Sequence, residues 1–326
     1  MRTHKTPRAN PRNTTPCYAR FATRRPLPRT TRVYQSTPEQ PVRDSMAPVA
    51  ANTAAPPTPP SREPVGGAAW IAATRFVPLS SAEVGAKLLA TVRDHVRNGK
   101  QPVVIFDLDY TLYDNDPRMV AVLREWAATK DADAFPKVKA ALAEVRLEHV
   151  RYSAADTVRA AGVSAEETAE VMKVLLPFFL KTFLDNPHTA IDPVIAEVAD
   201  LTRKLADAGA RVVFLTGRVV ADQGAGTLTA LERDGFTPDD KRYFLFLKPF
   251  AKHPDGSKYG DADFKRDVKP QIDKLGPVVG TLDNEPANVM ALAAGYPEAM
   301  NVFVDTKWSD AKVEPGVGLY RYVPRG

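Results

Sequence analysis

The chain has 326 residues, 44% of them apolar, enough for one large core or two smaller ones. Its 44 Lys and Arg exceed its 39 Asp and Glu, but the excess is local: residues 1–65 carry 11 basic and 3 acidic side chains, and residues 66–326 carry 33 and 36. The single cysteine, Cys17, excludes an intrachain disulfide framework and a thiolate metal site, and no run of 18 apolar residues is present to form a membrane span.

Residues 1–65 hold 13 of the 29 prolines and few large apolar side chains. Such a segment buries too little surface to offset the entropy of ordering, so it reads as a disordered basic tail, with order beginning near Trp70. Lacking the apolar stretch of a secretory signal, the chain is expected in the cytoplasm. The Arg- and Thr-rich, acid-free start before Glu39 also fits an organelle transit peptide, and a start at Met46 is a further alternative. The tail's cations raise a rival function, non-specific nucleic-acid binding, although only Tyr18, Phe21 and Tyr34 are available there for stacking.

Ser80 and Glu83 form a capping box for a helix carrying Val84, Leu88, Leu89 and Val92 until Asn98-Gly99 stops it. Val103–Phe106 follows as a short, wholly apolar strand of the kind buried in a parallel sheet. From Asp116 to about Asn186 the pattern is helical only. Three helices are expected there, the last opened by a second capping box, Ser164 with Glu167, and kinked at Pro177. Alternation then resumes, with Asp192 expected as N-cap and Pro193 at the first position of a helix ending at Gly209. Strands are expected at Arg211–Leu215, Tyr243–Leu247, Val278–Leu282 and Val302–Val304. Between them fall helices at Thr227–Asp234, Phe264–Leu275 and Pro286–Ala294. This order predicts an α/β fold, a doubly wound parallel sheet built from residues 66–115 and 187–326 and interrupted by a helical module, 116–186.

Asp107 and Asp109 lie where the first apolar strand ends, the edge at which open α/β sheets bind ligands. Two carboxylates two residues apart can divide roles, one attacking as a nucleophile while the other, kept protonated, serves as general acid. Other signals lead nowhere: Gly224-Ala225-Gly226 has no third glycine, the loop from Asp255 ends on Arg266 where calcium needs a glutamate, and the five histidines are too scattered for zinc.

The run Asp107-Leu108-Asp109-Tyr110-Thr111-Leu112 resembles the first motif of the haloacid dehalogenase superfamily. Leu215-Thr216-Gly217-Arg218, Lys265 and Gly280-Thr281-Leu282-Asp283-Asn284-Glu285 resemble its second, third and fourth motifs, in the same order. The resemblance covers residues 100 to about 305 and implies a Rossmann-like core with a helical cap. It implies that Asp107 forms an aspartyl phosphate and that Asp109 protonates the leaving oxygen and then activates water. Thr216, Gly217 and Lys265 would hold the phosphate, while Asp107, the Asp109 carbonyl and Asp283 would bind Mg²⁺. Dehalogenases of this superfamily do not need the second acid, so Asp109 favours a phosphatase acting on a small phosphorylated substrate, with a phosphomutase as runner-up.

Lys248, ending its own strand, competes with Lys265 for the third-motif role, and Lys265 is preferred because it opens the helix before the metal-binding strand. Asn284, Glu285 and Asn288 are open candidates for a further metal contact, and Arg218 for a substrate anion. In the helical module the polar candidates are Arg118, Arg124, Arg151, Tyr152 and Lys181.

Overall fold

The computed structural model describes residues 63–324. The expected tail up to residue 62, with Cys17 and the candidate transit segment, lies outside the described residues. Order is already present at Val65, which pairs with Val313, and the helix Gly67–Ala73 buries Trp70 against Phe303 with ring centroids 5.2 Å apart.

The described residues form a seven-stranded parallel sheet. Its strands are β1 (Arg75–Phe76), β2 (Val103–Phe106), β3 (Arg211–Val219), β4 (Tyr243–Lys248), β5 (Val278–Asp283), β6 (Met300–Val304) and β7 (Val317–Tyr322). They lie in the order β1-β7-β6-β5-β2-β3-β4. All four side chains of β2 are buried because the sheet is covered on both faces. Val104 and Phe106 pack with Leu88 and Leu205 on one side, while Val103 and Ile105 pack with Phe264 and Ile272 on the other. From β2 the chain winds one way through β3 and β4 and the other way through β5 to β7. The carboxyl ends of β2 and β5 therefore flank the topological switch point, where such sheets open a crevice.

The segment after β2 holds four α-helices where three are expected: Asp116–Ala127, Pro136–Ala143, Ala154–Ala160 and Ala165–Phe183. They share their own apolar cluster, with Leu123, Trp126, Leu142, Val171 and Leu175 at its centre. The last helix continues through Pro177. The chain leaves and rejoins the sheet through two paired stretches: Asp114 N–H donates to the Pro193 carbonyl at 2.9 Å and Ile195 N–H to the Leu112 carbonyl at 2.8 Å.

Three expectations are corrected. Asp192 is not an N-cap; the helix is Ala196–Asp207 with Ile195 in the capping place, and Asp192 is buried elsewhere. The helix expected at Phe264–Leu275 is two, Asp261–Asp267 and Lys269–Asp273, because Pro270 has no N–H to continue the ladder. The edge strands β1 and β7 are additions to the expected sheet. Among the described residues no helix is long and apolar enough to cross a membrane.

Candidate active site

β2 ends directly into Asp107, whose N–H donates to the Leu282 carbonyl of β5 at 2.9 Å, so the acid sits on the seam between the two strands. Lys265 Nζ donates to Asp107 Oδ1 at 2.7 Å and also pairs with Asp283 Oδ2 at the end of β5. All three side chains are buried. Burial pushes the Asp107 carboxyl well above the usual carboxylate range; the Lys265 ammonium opposes this, and the neighbouring Asp283 and Asp109 charges add to it. Burial disfavours the Lys265 charge too, but the Asp107 and Asp283 carboxylates outweigh it and hold the ammonium protonated. Lys265 lies in the last turn of its helix and does not open it as expected. The competitor Lys248 turns to Asp261 and to the Tyr259 carbonyl.

Beyond Asp107 the chain turns tightly: the Leu108 carbonyl accepts from the N–H groups of Thr111, Leu112 and Tyr113. Tyr110 takes a left-handed conformation, φ +53°, costly for a side chain of its size, and its N–H is fixed by Asn115 Oδ1 at 3.0 Å. This turn presents Asp109 to two buried arginines. Arg218 donates to both its oxygens, each at 2.9 Å, and Arg118 Nη2 lies 2.6 Å from Oδ1. The same guanidiniums reach Asp192 Oδ2 at 3.0 Å, and Asn115 Nδ2 donates to that oxygen at 2.9 Å.

The two acids of this cluster differ in how tightly they hold a proton. Burial raises Asp109, but the Arg218 and Arg118 guanidiniums outweigh it and hold the carboxyl well below the usual range. Asp109 is thus ionised here, not kept protonated as a waiting general acid would be. At Asp192 burial outweighs the guanidiniums and pushes the carboxyl up to about 6. Its Oδ1 is buried without a hydrogen-bond partner.

Arg218 reaches the site because β3 bulges: its register with β4 slips between Thr216 and Val219, which turns the residues in between. At Gly217 a β-carbon would lie 2.4 Å from the Asp261 carboxyl carbon, so only glycine lets that acid lie over the strand end. Thr216 is buried with its hydroxyl accepting from the Arg218 N–H at 3.2 Å, and it does not line the cavity, whereas Gly217 does.

Asp283 Oδ1 accepts from the Glu285 N–H at 2.9 Å and from Asn288 Nδ2 at 3.3 Å. Asn284 is taken up by Thr111 and the Lys307 carbonyl, and Glu285 by Ser309, leaving Asn288 as the one of the three whose side chain touches Asp283. Asp107 and Asp283 aim one oxygen each at a single ammonium, so two buried carboxylates share one positive charge. That negative excess and the oxygen donors fit a hard divalent cation such as Mg²⁺. Among the described residues no three His, Cys, Asp or Glu gather as a metal centre.

A cavity of about 540 Å³ opens over this floor, lined there by Asp107, Asp109, Gly217 and Arg218. Of the polar candidates in the helical segment, Arg118 and Tyr152 reach it. Arg124 is instead bound to the Val145 carbonyl, Arg151 to the Glu148 carbonyl, and Lys181 is not on the wall.

No family model matches the chain, and no curated protein matches it. It is similar to solved phosphatases. A predicted phosphatase from Clostridium acetobutylicum is 14% identical, with a TM-score of 0.35, over 63% of this chain and 85% of its own. A predicted phosphoglycolate phosphatase from Haemophilus somnus is 12% identical, TM-score 0.34, over 68% and 88%. The class C acid phosphatase from Bacillus anthracis, solved with tungstate bound, is 15% identical, TM-score 0.35, over 69% and 78%. Likeness at this level carries no assignment of chemistry, which rests on the site itself.

Proposed function

We propose that the chain is a Mg²⁺-dependent phosphomonoester hydrolase working through an aspartyl phosphate on Asp107. The observation that carries this reading is the contact of Lys265 with both Asp107 and Asp283 at the switch point of the sheet, where a nucleophilic oxygen, a fixed cation and a second carboxylate converge. Phosphoryl transfer asks for that arrangement: an attacking oxygen held in place, and positive charge to offset the phosphate.

In this mechanism Asp107 attacks phosphorus while Lys265 screens it from the incoming dianion. The backbone N–H groups near Leu108 and Gly217 donate to phosphoryl oxygens, with Thr216 supporting the turn by accepting from the Arg218 N–H. Asp107, Asp283 and the Asp109 carbonyl would hold Mg²⁺, which would supply neutralisation of phosphate charge. Asp109 is ionised and so can accept a proton from the water that hydrolyses the phosphoenzyme, but the two guanidiniums that hold its carboxyl low must relax for it to act as that base. Its earlier task, protonating the leaving oxygen, requires Asp109 first to take up a proton from solvent, and therefore requires the hold of Arg118 and Arg218 to relax.

Asp107→Asn tests the reading, because an amide is a poor nucleophile. Turnover of phenyl phosphate with Mg²⁺ is expected to fall by roughly a thousandfold or more. Near-normal turnover by that variant would remove the covalent step.

A further inference from the structure

The helix Ala165–Phe183 has two apolar faces, which a surface helix covering a core does not need. Val171, Leu175 and Phe179 point into the helical cluster and are buried. One position further round, Met172, Leu176, Leu180 and, just past the helix end, Leu184 repeat every four residues and so stand in one ridge. All four line the cavity, joined by Met119 and Phe183. Leu176, Leu180 and Leu184 are 41%, 48% and 40% exposed, so no protein side chain covers this ridge fully. It lines the same cavity as Asp107 and Asp109.

The polar groups of the wall do not offset this character. The cations lining the cavity are Arg118 and Arg218, and both are committed to Asp109 and Asp192. Arg118 is further bound to the Phe183 carbonyl and to Thr189. A second phosphate or a carboxylate on the substrate would meet no uncommitted cation, and a sugar lying on the ridge would leave the hydroxyls of that face against leucine and methionine.

From this ridge we infer that the substrate is a phosphomonoester with an uncharged apolar leaving group, an aryl or alkyl phosphate whose hydrocarbon body lies along Met172, Leu176, Leu180 and Leu184 while its phosphate meets Asp107. The inference rests on the hydrolase reading and names its substrate class. Sugar phosphates, nucleotides and phosphorylated carboxylic acids are expected to be poorer substrates.

Para-alkylphenyl phosphates test it with the full chain and Mg²⁺, since lengthening the alkyl group from methyl to butyl leaves the leaving-group chemistry almost constant and changes only the apolar surface. kcat/KM is expected to rise about fourfold per buried methylene, some sixtyfold across the series. A charged or hydroxylated ester of equal size is expected to fall below all of them. Replacing Leu176→Asn and Leu180→Asn together, at positions exposed enough to tolerate the change, is expected to flatten the slope to under about twofold per methylene. A flat or falling series in the unaltered protein, or preference for glucose 6-phosphate or a carboxylated ester, overturns the inference and leaves the hydrolase reading standing. Absence of turnover with every ester, phenyl phosphate included, overturns the hydrolase reading itself and this one with it.

Discussion

Asp109 and Asp192 bring the same side chain to the same two guanidiniums, yet one is held ionised and the other is pushed up to about 6. The difference lies in enclosure and in bonding. Asp109 faces the cavity and takes two hydrogen bonds from Arg218 and one from Arg118, whereas Asp192 is fully buried with one oxygen unpartnered. A raised carboxyl has a definite sign in stability. The native state binds the Asp192 proton more tightly than the unfolded chain, where an aspartate titrates near 3.9. The group's contribution is therefore complete below about pH 4 and is lost as pH rises through about 6. Asp192→Asn cannot titrate and lacks this slope. In urea unfolding from pH 4 to 6, the unaltered protein is expected to lose stability relative to the Asn variant as pH rises. A difference that stays level or grows would mean that the guanidiniums outweigh burial at this site. The role of Asp192 was not legible in the sequence because Asp-Pro is an ordinary helix start, and the arginines that claim it come from Asp116–Ala127 and β3.

At the scale of elements, the sheet interior was legible and its edges were not. β2, β3 and β4 are buried on both faces, which writes an unbroken apolar run into the sequence. β1 has only two residues, and β7 mixes exposed and buried positions with a glycine inside it, so neither produces that run. The four motif segments were legible because each is a strand end or a helix beside one. The bulge that turns Arg218 inward was not, since its signal is a register slip between strands. Gly224-Ala225-Gly226, set aside as a dinucleotide signal, has a packing role: a β-carbon on Gly226 would lie 2.2 Å from the Asn186 carbonyl oxygen. Its N–H also donates to Asn186 Oδ1 at 2.7 Å, which ties the helix Val220–Arg233 to the helix Asn186–Thr189. Gly226→Ala would gain about 1 kcal/mol in helix propensity. The clash is with backbone, which must move, and overpacking of this kind costs about 1–3 kcal/mol. A net loss of stability of up to about 2 kcal/mol in urea unfolding is therefore expected. Equal or higher stability would show that the Asn186 segment shifts without cost.

Across the whole molecule the site collects charge that the chain otherwise spreads. Residues 66–326 carry 36 acids against 33 bases, a nearly even balance. At the carboxyl edge of the sheet, however, Asp107 and Asp283 meet around one lysine, and Asp109 shares its two arginines with Asp192. A phosphate dianion approaching this floor meets more negative than positive charge within a buried setting, where Coulomb forces are weakly screened. Parallel strand order creates the difficulty, since it brings Asp107 and Asp283 together from the ends of adjacent strands. Lys265 answers part of it, and the remaining excess calls for a divalent cation. Excess chelator is accordingly expected to remove phosphoester turnover and added Mg²⁺ to restore it. Thermal unfolding followed in parallel should show a higher midpoint with Mg²⁺, because a cation that binds only the native site stabilises it. Asp283→Asn removes one of the two converging carboxylates, so that Mg²⁺-dependent rise should shrink in the variant. Undiminished turnover in chelator, together with an unchanged midpoint, would mean that Lys265 alone balances the floor.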